Sequence, residues 1–194
     1  MVVLANSGLV IAGVIGGIVL IVLIWIIATY NRFVSIRQHL KESWSDVDVE
    51  LKRRYDLIPN LINTVKGYAA HEKSVFEEVT NARAQAMQNT GRPDKQSSDE
   101  QSLTMGVSKI MAVAENYPDL KADANFRALQ DELANTEDRI AASRRFYNAN
   151  VRELNRLCRT FPTNILGSIF GFEEQGFFEL DNSAEREVPQ VPSS

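Results

Sequence analysis

Two histidines, His39 and His71, and one cysteine, Cys158, are all that this 194-residue chain offers of the side chains that most often bind transition metals or act as nucleophiles. A zinc site needs several such ligands at short spacing, and the two histidines stand 32 residues apart with no further His or Cys beside either. Cys158 falls among Leu154, Leu157 and Phe161, where a cysteine reads as a small apolar core residue in a reducing compartment. No glycine-rich phosphate loop follows a strand and no serine elbow is present. The chain is therefore expected not to be an enzyme: no catalytic, cofactor-binding or metal residue is assigned, and no small-molecule substrate is evident. Strands are missing as well, since no stretch shows the strict polar/apolar alternation between turn residues that marks them. Pro59 and Gly67 are the only helix breakers between Asn31 and Gln88, a span rich in Ala, Glu, Gln and Arg. The fold expected is all-α.

Charge is also missing, from residues 1–31, and inside that stretch Gly8 to Thr29 forms an apolar run of 22 residues. At about 1.5 Å per residue it reaches roughly 33 Å as a helix, enough to cross a hydrocarbon core of about 30 Å. A cleaved secretory signal would have a basic n-region, a shorter core and a small-x-small cleavage site, none of which is found here. The domain plan expected is a short extracytoplasmic segment at 1–7, a transmembrane helix at 8–30, a helical domain at 31–180 and a disordered tail at 181–194. Arg32, Arg37, Lys41, Lys52, Arg53 and Arg54 all follow the run and no basic side chain precedes it, which places the bulk of the chain in the cytoplasm. Trp25, Tyr30, Arg32 and Arg37 fit the membrane interface, the aromatics with rings in apolar surroundings and the arginines toward lipid headgroups. Gly8, Ala12 and Gly16 recur every four residues, and Gly13 with Gly17 makes a G-x-x-x-G. That spacing lets two helix backbones approach in lipid, so this face is the candidate for self-association, although glycine is also simply common in membrane helices.

Beyond the anchor, Phe33, Ile36, Leu40, Trp44, Val47, Leu51, Tyr55, Ile58 and Ile62 repeat at spacings of three and four that close every eleven residues. A stripe of this period stays nearly straight, and with no Gly or Pro between Tyr30 and Arg54 it is expected to continue the membrane helix directly. Pro59 predicts a kink or brief break, after which the helix runs on to about Met87. Residues 89–100 hold no apolar side chain and read as a loop. A shorter helix is expected over Leu103–Ala114. A long one follows from about Asp123, its N-cap, with Phe126, Leu129, Leu133, Ile140, Tyr147, Val151, Leu154 and Phe161 on one face and Pro162 at its end. Together these read as an elongated antiparallel bundle. The segment from Ile165 to Phe178 is expected to fold back on it, with docking to the membrane or a neighbour as the alternative.

The polar cluster Asp48, Lys52, Arg53, Arg54 and Asp56, with Asn60 beyond, is the candidate partner-binding face. Its plainer reading is a solvated face laced with the i,i+4 pairs Asp48–Lys52 and Glu50–Arg54, worth only a few tenths of a kcal/mol each. The net charge of −4, with acids and bases interleaved, argues against nucleic acid.

Several blocks resemble a known family. Tyr30-Asn31, Trp44, Asp48-Val49, the run Leu51-Lys52-Arg53-Arg54-Tyr55-Asp56-Leu57-Ile58-Pro59-Asn60-Leu61, Val65-Lys66-Gly67-Tyr68-Ala69 and His71-Glu72 are similar to the signature of the bacterial LemA family. Glu115-Asn116-Tyr117-Pro118, Leu129-Gln130-Asp131-Glu132-Leu133, Thr136-Glu137, Tyr147-Asn148, Asn155 and Phe161-Pro162-Thr163-Asn164 follow in the family's order, so the resemblance runs over roughly residues 20 to 180. It implies one N-terminal membrane helix and an elongated helical cytoplasmic domain, and it brings no assigned reaction and no established catalytic residue. One relative belongs to the machinery that forms magnetosome membranes, which points to membrane organisation. The expectation is a single-pass scaffold or adaptor that self-associates at the cytoplasmic face of the bacterial inner membrane, with lipid, its own copies and other membrane proteins as partners. The alternative is a regulatory or signalling partner of another membrane protein, such as a protease or transporter.

Overall fold

The computed structural model describes residues 2–89 and 93–179, and of residues 2–10, 94 and 95 it describes the backbone alone. Six helices follow one another: α1 (Val2–Lys66), α2 (Lys73–Gln88), α3 (Pro93–Glu115), α4 (Pro118–Ala122), α5 (Ala124–Arg159) and α6 (Thr163–Phe170). Among the described residues there is no strand, and the fold is an all-α bundle behind a long apolar N-terminal helix. The expected tail at 181–194 lies outside the described residues.

The eleven-residue stripe holds. Phe33, Ile36, Val47, Leu51, Tyr55, Ile58 and Ile62 are all buried, while Leu40 and Trp44 are half-buried. Pro59 lies inside α1 without interrupting it. A proline there has no N–H to give the carbonyl of Tyr55, four residues back. Arg83 of α2 supplies the donor instead, its Nε lying 2.7 Å from that oxygen.

Two expectations are corrected. The helix does not run on to Met87: α1 ends at Lys66, the Tyr68 and Ala69 amides cap its last turn by donating to the Val65 carbonyl, and α2 starts afresh at Lys73. The break lets α2 pack on α3, where a Cβ on Gly106 would stand 2.9 Å from Val79 Cγ2; a side chain at 106 would force the two helices apart. Nor is 89–100 a loop, since α3 begins at Pro93. In its polar first turns Gln96, Asp99 and Glu100 are buried, and Asp99 accepts from the Asn89 side chain.

Asp123 caps α5 as expected, accepting from the Phe126 amide at 2.9 Å. Its carboxyl is held below the usual range, first by that amide and then by Tyr68, whose hydroxyl donates to it at 3.1 Å.

The chain divides into two compact units, and both α1 and α5 contribute to each. The first comprises Met1–Glu42 with Ala149–Gln175. Its core gathers Phe33, Ile36, Leu154, Leu157 and Phe172, flanked by Val34, Leu40 and Cys158. Gly171 adopts φ 69°, a left-handed turn that ends α6 and lets the Phe172 amide reach back to the Gly167 carbonyl at 2.9 Å. Phe172 thereby stacks on Phe33, with centroids 4.6 Å apart. The Asn155 amide group both donates to the Gln175 carbonyl, at 3.0 Å, and accepts from its N–H, at 2.9 Å. The fold-back expected of this segment is what the first unit shows.

The second unit comprises Ser43–Asn148 with Gly176–Ser194. In it Phe126, Leu133, Ile140 and Tyr147 of α5, seven residues apart, are all buried. Trp44 packs on Tyr147 and edge-on to Phe178 at 5.6 Å. Asn148 holds the Phe178 backbone through its own donor and acceptor, both at 2.9 Å.

Candidate functional site

Val47, Leu51, Arg54, Ile58, Leu61 and Val65 follow one another at spacings of four and three, and each is 0 % exposed. A guanidinium therefore sits in the middle of an apolar seam. Arg54 forms ion pairs with Glu100 of α3 and with Glu137 of α5, the latter at 2.6 Å, and its Nη1 donates to Thr104 Oγ1 at 3.2 Å. Tyr55 donates its hydroxyl to Glu100, and Gln96 Nε2 donates to that hydroxyl at 3.3 Å. Burial alone would pull the guanidinium below its ordinary pKa, but Glu137 and Glu100 outweigh it and hold it raised. The Tyr55 phenol is also raised, by burial and then by the Glu100 charge. Among the described residues Arg54 Nε and Gln96 Oε1 have no hydrogen-bond partner, so the network is not fully satisfied. It ties α1, α3 and α5 together, with Arg54 and Glu100 buried and Glu137 at the edge, its side chain 39 % exposed.

Of the candidate partner-binding face this corrects one member, Arg54. Arg54 belongs to the core, and neither i,i+4 pair forms among the described residues: Arg54 turns to Glu100 and Glu137, and Glu50 faces Arg139 at 3.8 Å. Arg53 is partly exposed and paired with Glu132. Asp48, Lys52, Asp56 and Asn60, four residues apart, line one exposed edge of α1. The signal that marks Arg54 as internal is its place three residues after Leu51 and four before Ile58. For Glu100 no such signal exists, because it stands in a polar stretch whose other buried members, Gln96 and Asp99, bond Tyr55 and Asn89 instead of the cation.

On α1 every described residue from 11 to 25 is exposed, Ile18 by 56 % and Ile21 by 67 %. Within that surface Gly13, Gly16 and Gly17 have nothing within 4 Å of where a Cβ would stand, and Ala12 is exposed beside them. Of Gly8 the backbone alone is described. Trp25 and Tyr30 are both partly exposed. The Tyr30 ring meets Phe170 edge-on at 4.9 Å, Arg37 lies 5.1 Å over the Phe172 ring, and Arg32 is paired with Glu153.

His39 is exposed and interacts with Ser35 and Glu42. Cys158 is half-buried, and its thiol donates to the Phe172 carbonyl. Burial, and then Glu174, raises the Cys158 pKa, the opposite of what activates a nucleophile. Among the described residues no three His, Cys, Asp or Glu side chains converge as metal ligands.

Known proteins share this chain's pattern. It is 26 % identical over 175 residues to magnetosome proteins MamQ 1 and MamQ 2 of Paramagnetospirillum magneticum, matching 77 % of this chain and 64 % of each relative. It is 24 % identical over 189 residues to magnetosome protein MamQ of Magnetospirillum gryphiswaldense, matching 84 % of this chain and 70 % of the relative. The chain thus spans 64 % of the length of the first two. The profile of the LemA family matches residues 43–192, which begins beyond the apolar run and takes in Arg54, Tyr55, Glu100 and Glu137. With that match covering well over half of its residues, and carried by the helical domain and not by the hydrophobic segment, the chain belongs to the LemA family.

Proposed function

We propose that this protein is a membrane-anchored, non-enzymatic scaffold that self-associates through α1 and presents its helical domain at the cytoplasmic face of the inner membrane. The observation that carries this reading is the exposed apolar surface of α1: the helix is long and apolar enough to cross a membrane, and every described residue from 11 to 25 is exposed. A helix apolar on every side needs lipid or other helices around it. The basic side chains that follow the run favour a cytoplasmic domain. Ala12, Gly13, Gly16 and Gly17 offer an open small-residue face to a second copy, with Gly8 on the same stripe. The absence of enzymatic activity is supported by chemistry already in place: the Arg54–Glu100 pair is buried in the core and the Cys158 pKa is raised, away from the thiolate a nucleophile needs. That the relatives are named as magnetosome proteins supports a role in membrane organisation.

Purification of the full chain in mild detergent, with sizing and mass spectrometry, tests the proposal. A homogeneous homo-oligomer that dissociates on Gly13→Leu or Gly16→Leu is the expected result. A monomer overturns it, and a stoichiometric foreign membrane protein in place of self-association would establish the regulatory-partner alternative.

A further inference from the structure

Both sides of α6 carry large apolar side chains, with Ser168 the exposed polar residue among the outward ones. Inward, Leu166 and Gly167 are buried, and a Cβ on Gly167 would lie 3.4 Å from the Phe33 ring. Outward, Phe161 just before the helix is 75 % exposed, Ile165 50 %, Ile169 67 % and Phe170 46 %. No charged residue occurs from Thr160 to Phe172, bounded by Arg159 and Glu173. A short helix that has already buried one face in a core has no need of isoleucine and phenylalanine on the other if water lies there.

The position of α6 says what covers that face. Phe170 stands 4.9 Å from Tyr30, one residue beyond the end of the apolar run and two before Arg32, the first charge of the chain. From 11 to 25 every residue of α1 is exposed, and coverage begins at half-buried Ile26 and buried Thr29. If Gly8 to Thr29 crosses the hydrocarbon, α6 lies at the depth where acyl chains give way to headgroups. The exposed Arg32, Arg156 and Arg159 are each paired, with Glu153 or Glu174.

We infer that α6 is an in-plane membrane helix: Phe161, Ile165, Ile169 and Phe170 insert into the bilayer interface beside the point where α1 leaves it. This rests on the reading of α1 as a membrane span. A helix lying in the interface commonly buries its apolar face about 5–10 Å deep. The same helix is pinned to the Phe33 core from the other side, so the bilayer surface and the first unit share it. The bilayer, not a second protein, is the occupant because the strip is continuous with α1's own lipid-facing surface.

The test uses the full chain reconstituted in phosphatidylcholine and phosphatidylglycerol vesicles. In a Cys158→Ser background, which keeps a donor toward the Phe172 carbonyl, a thiol-linked environment-sensitive dye is placed through Ile169→Cys or Ile18→Cys. Lipids carrying a quencher near the headgroup or at mid-chain are compared with aqueous iodide, and the dye on free glutathione serves as the water reference. The dye at 169 is expected to be quenched several-fold more by the headgroup-level lipid than by the mid-chain one and to be shielded from iodide, with the reverse lipid preference at 18. Iodide quenching at 169 equal to that of the free dye overturns the inference, and so does shielding from both lipid and iodide, which would mean a protein cover. Loss of lipid quenching at 18 overturns the membrane-span reading instead, so the two failures are told apart.

Discussion

Pro59 and Arg83 form a pair that can be taken apart. The proline withholds an N–H from the Tyr55 carbonyl inside a buried stretch of α1, and Arg83 Nε supplies one from α2 at 2.7 Å, a charge-assisted bond. Arg83→Met keeps most of the aliphatic stem but orphans the carbonyl, so it should cost about 1–3 kcal/mol, or roughly 2–4 °C in Tm per kcal/mol for a chain of this size. Pro59→Ala returns a backbone donor to the same oxygen. In that background Arg83→Met should cost no more than about 0.5 kcal/mol, the scatter expected of independent sites. The measurement is denaturant unfolding of the four full-length proteins in micelles, followed by circular dichroism. An equal cost of Arg83→Met in both backgrounds would refute the reasoning, because Arg83 would then be stabilising by packing and not by answering the proline.

Removing one member of the buried ion pair should be severe: Arg54→Met leaves Glu100 uncompensated in the core and should cost about 3–5 kcal/mol, whereas Arg54→Met with Glu100→Leu should recover most of it. Arg53→Met, at the half-exposed pair with Glu132, should stay within about 1 kcal/mol; thermal unfolding ranks all three. Asp123→Ala should lower the melting temperature at neutral pH. Because the native Asp123 pKa is lowered, its cap contributes fully above the unfolded carboxyl value and fades as pH falls through the folded one, so the gap between wild type and Asp123→Ala should close in acid and not in base.

The parts that could be read from residues alone are those where periodicity and burial coincide. Phe33, Ile36, Val47, Leu51, Tyr55, Ile58 and Ile62 lie where their spacing puts them, and Asp123 starts the helix its side chain can cap. What was hidden depends on partners distant in sequence. Gln96 and Glu100 look like part of a solvated loop until Arg54 and Tyr55, more than forty residues earlier, are seen to need them. Likewise Pro59 suggests a broken helix only while Arg83 is out of view. Asn148 and Asn155 were visible as family residues, but their task of holding the backbone at Phe178 and Gln175 has no local signature.

One consequence of the seam at 47–65 concerns choice rather than strength. Val47, Leu51, Ile58, Leu61 and Val65 are nearly interchangeable in size and kind, and an all-apolar seam could slide by a heptad against its neighbours with little penalty. Arg54 removes that freedom, since any slide would set a bare cation against hydrocarbon and leave Glu100 without its mate. A single buried charge of this kind acts as an alignment pin, fixing the phase of α1 against α3 and α5 where the apolar residues around it would not.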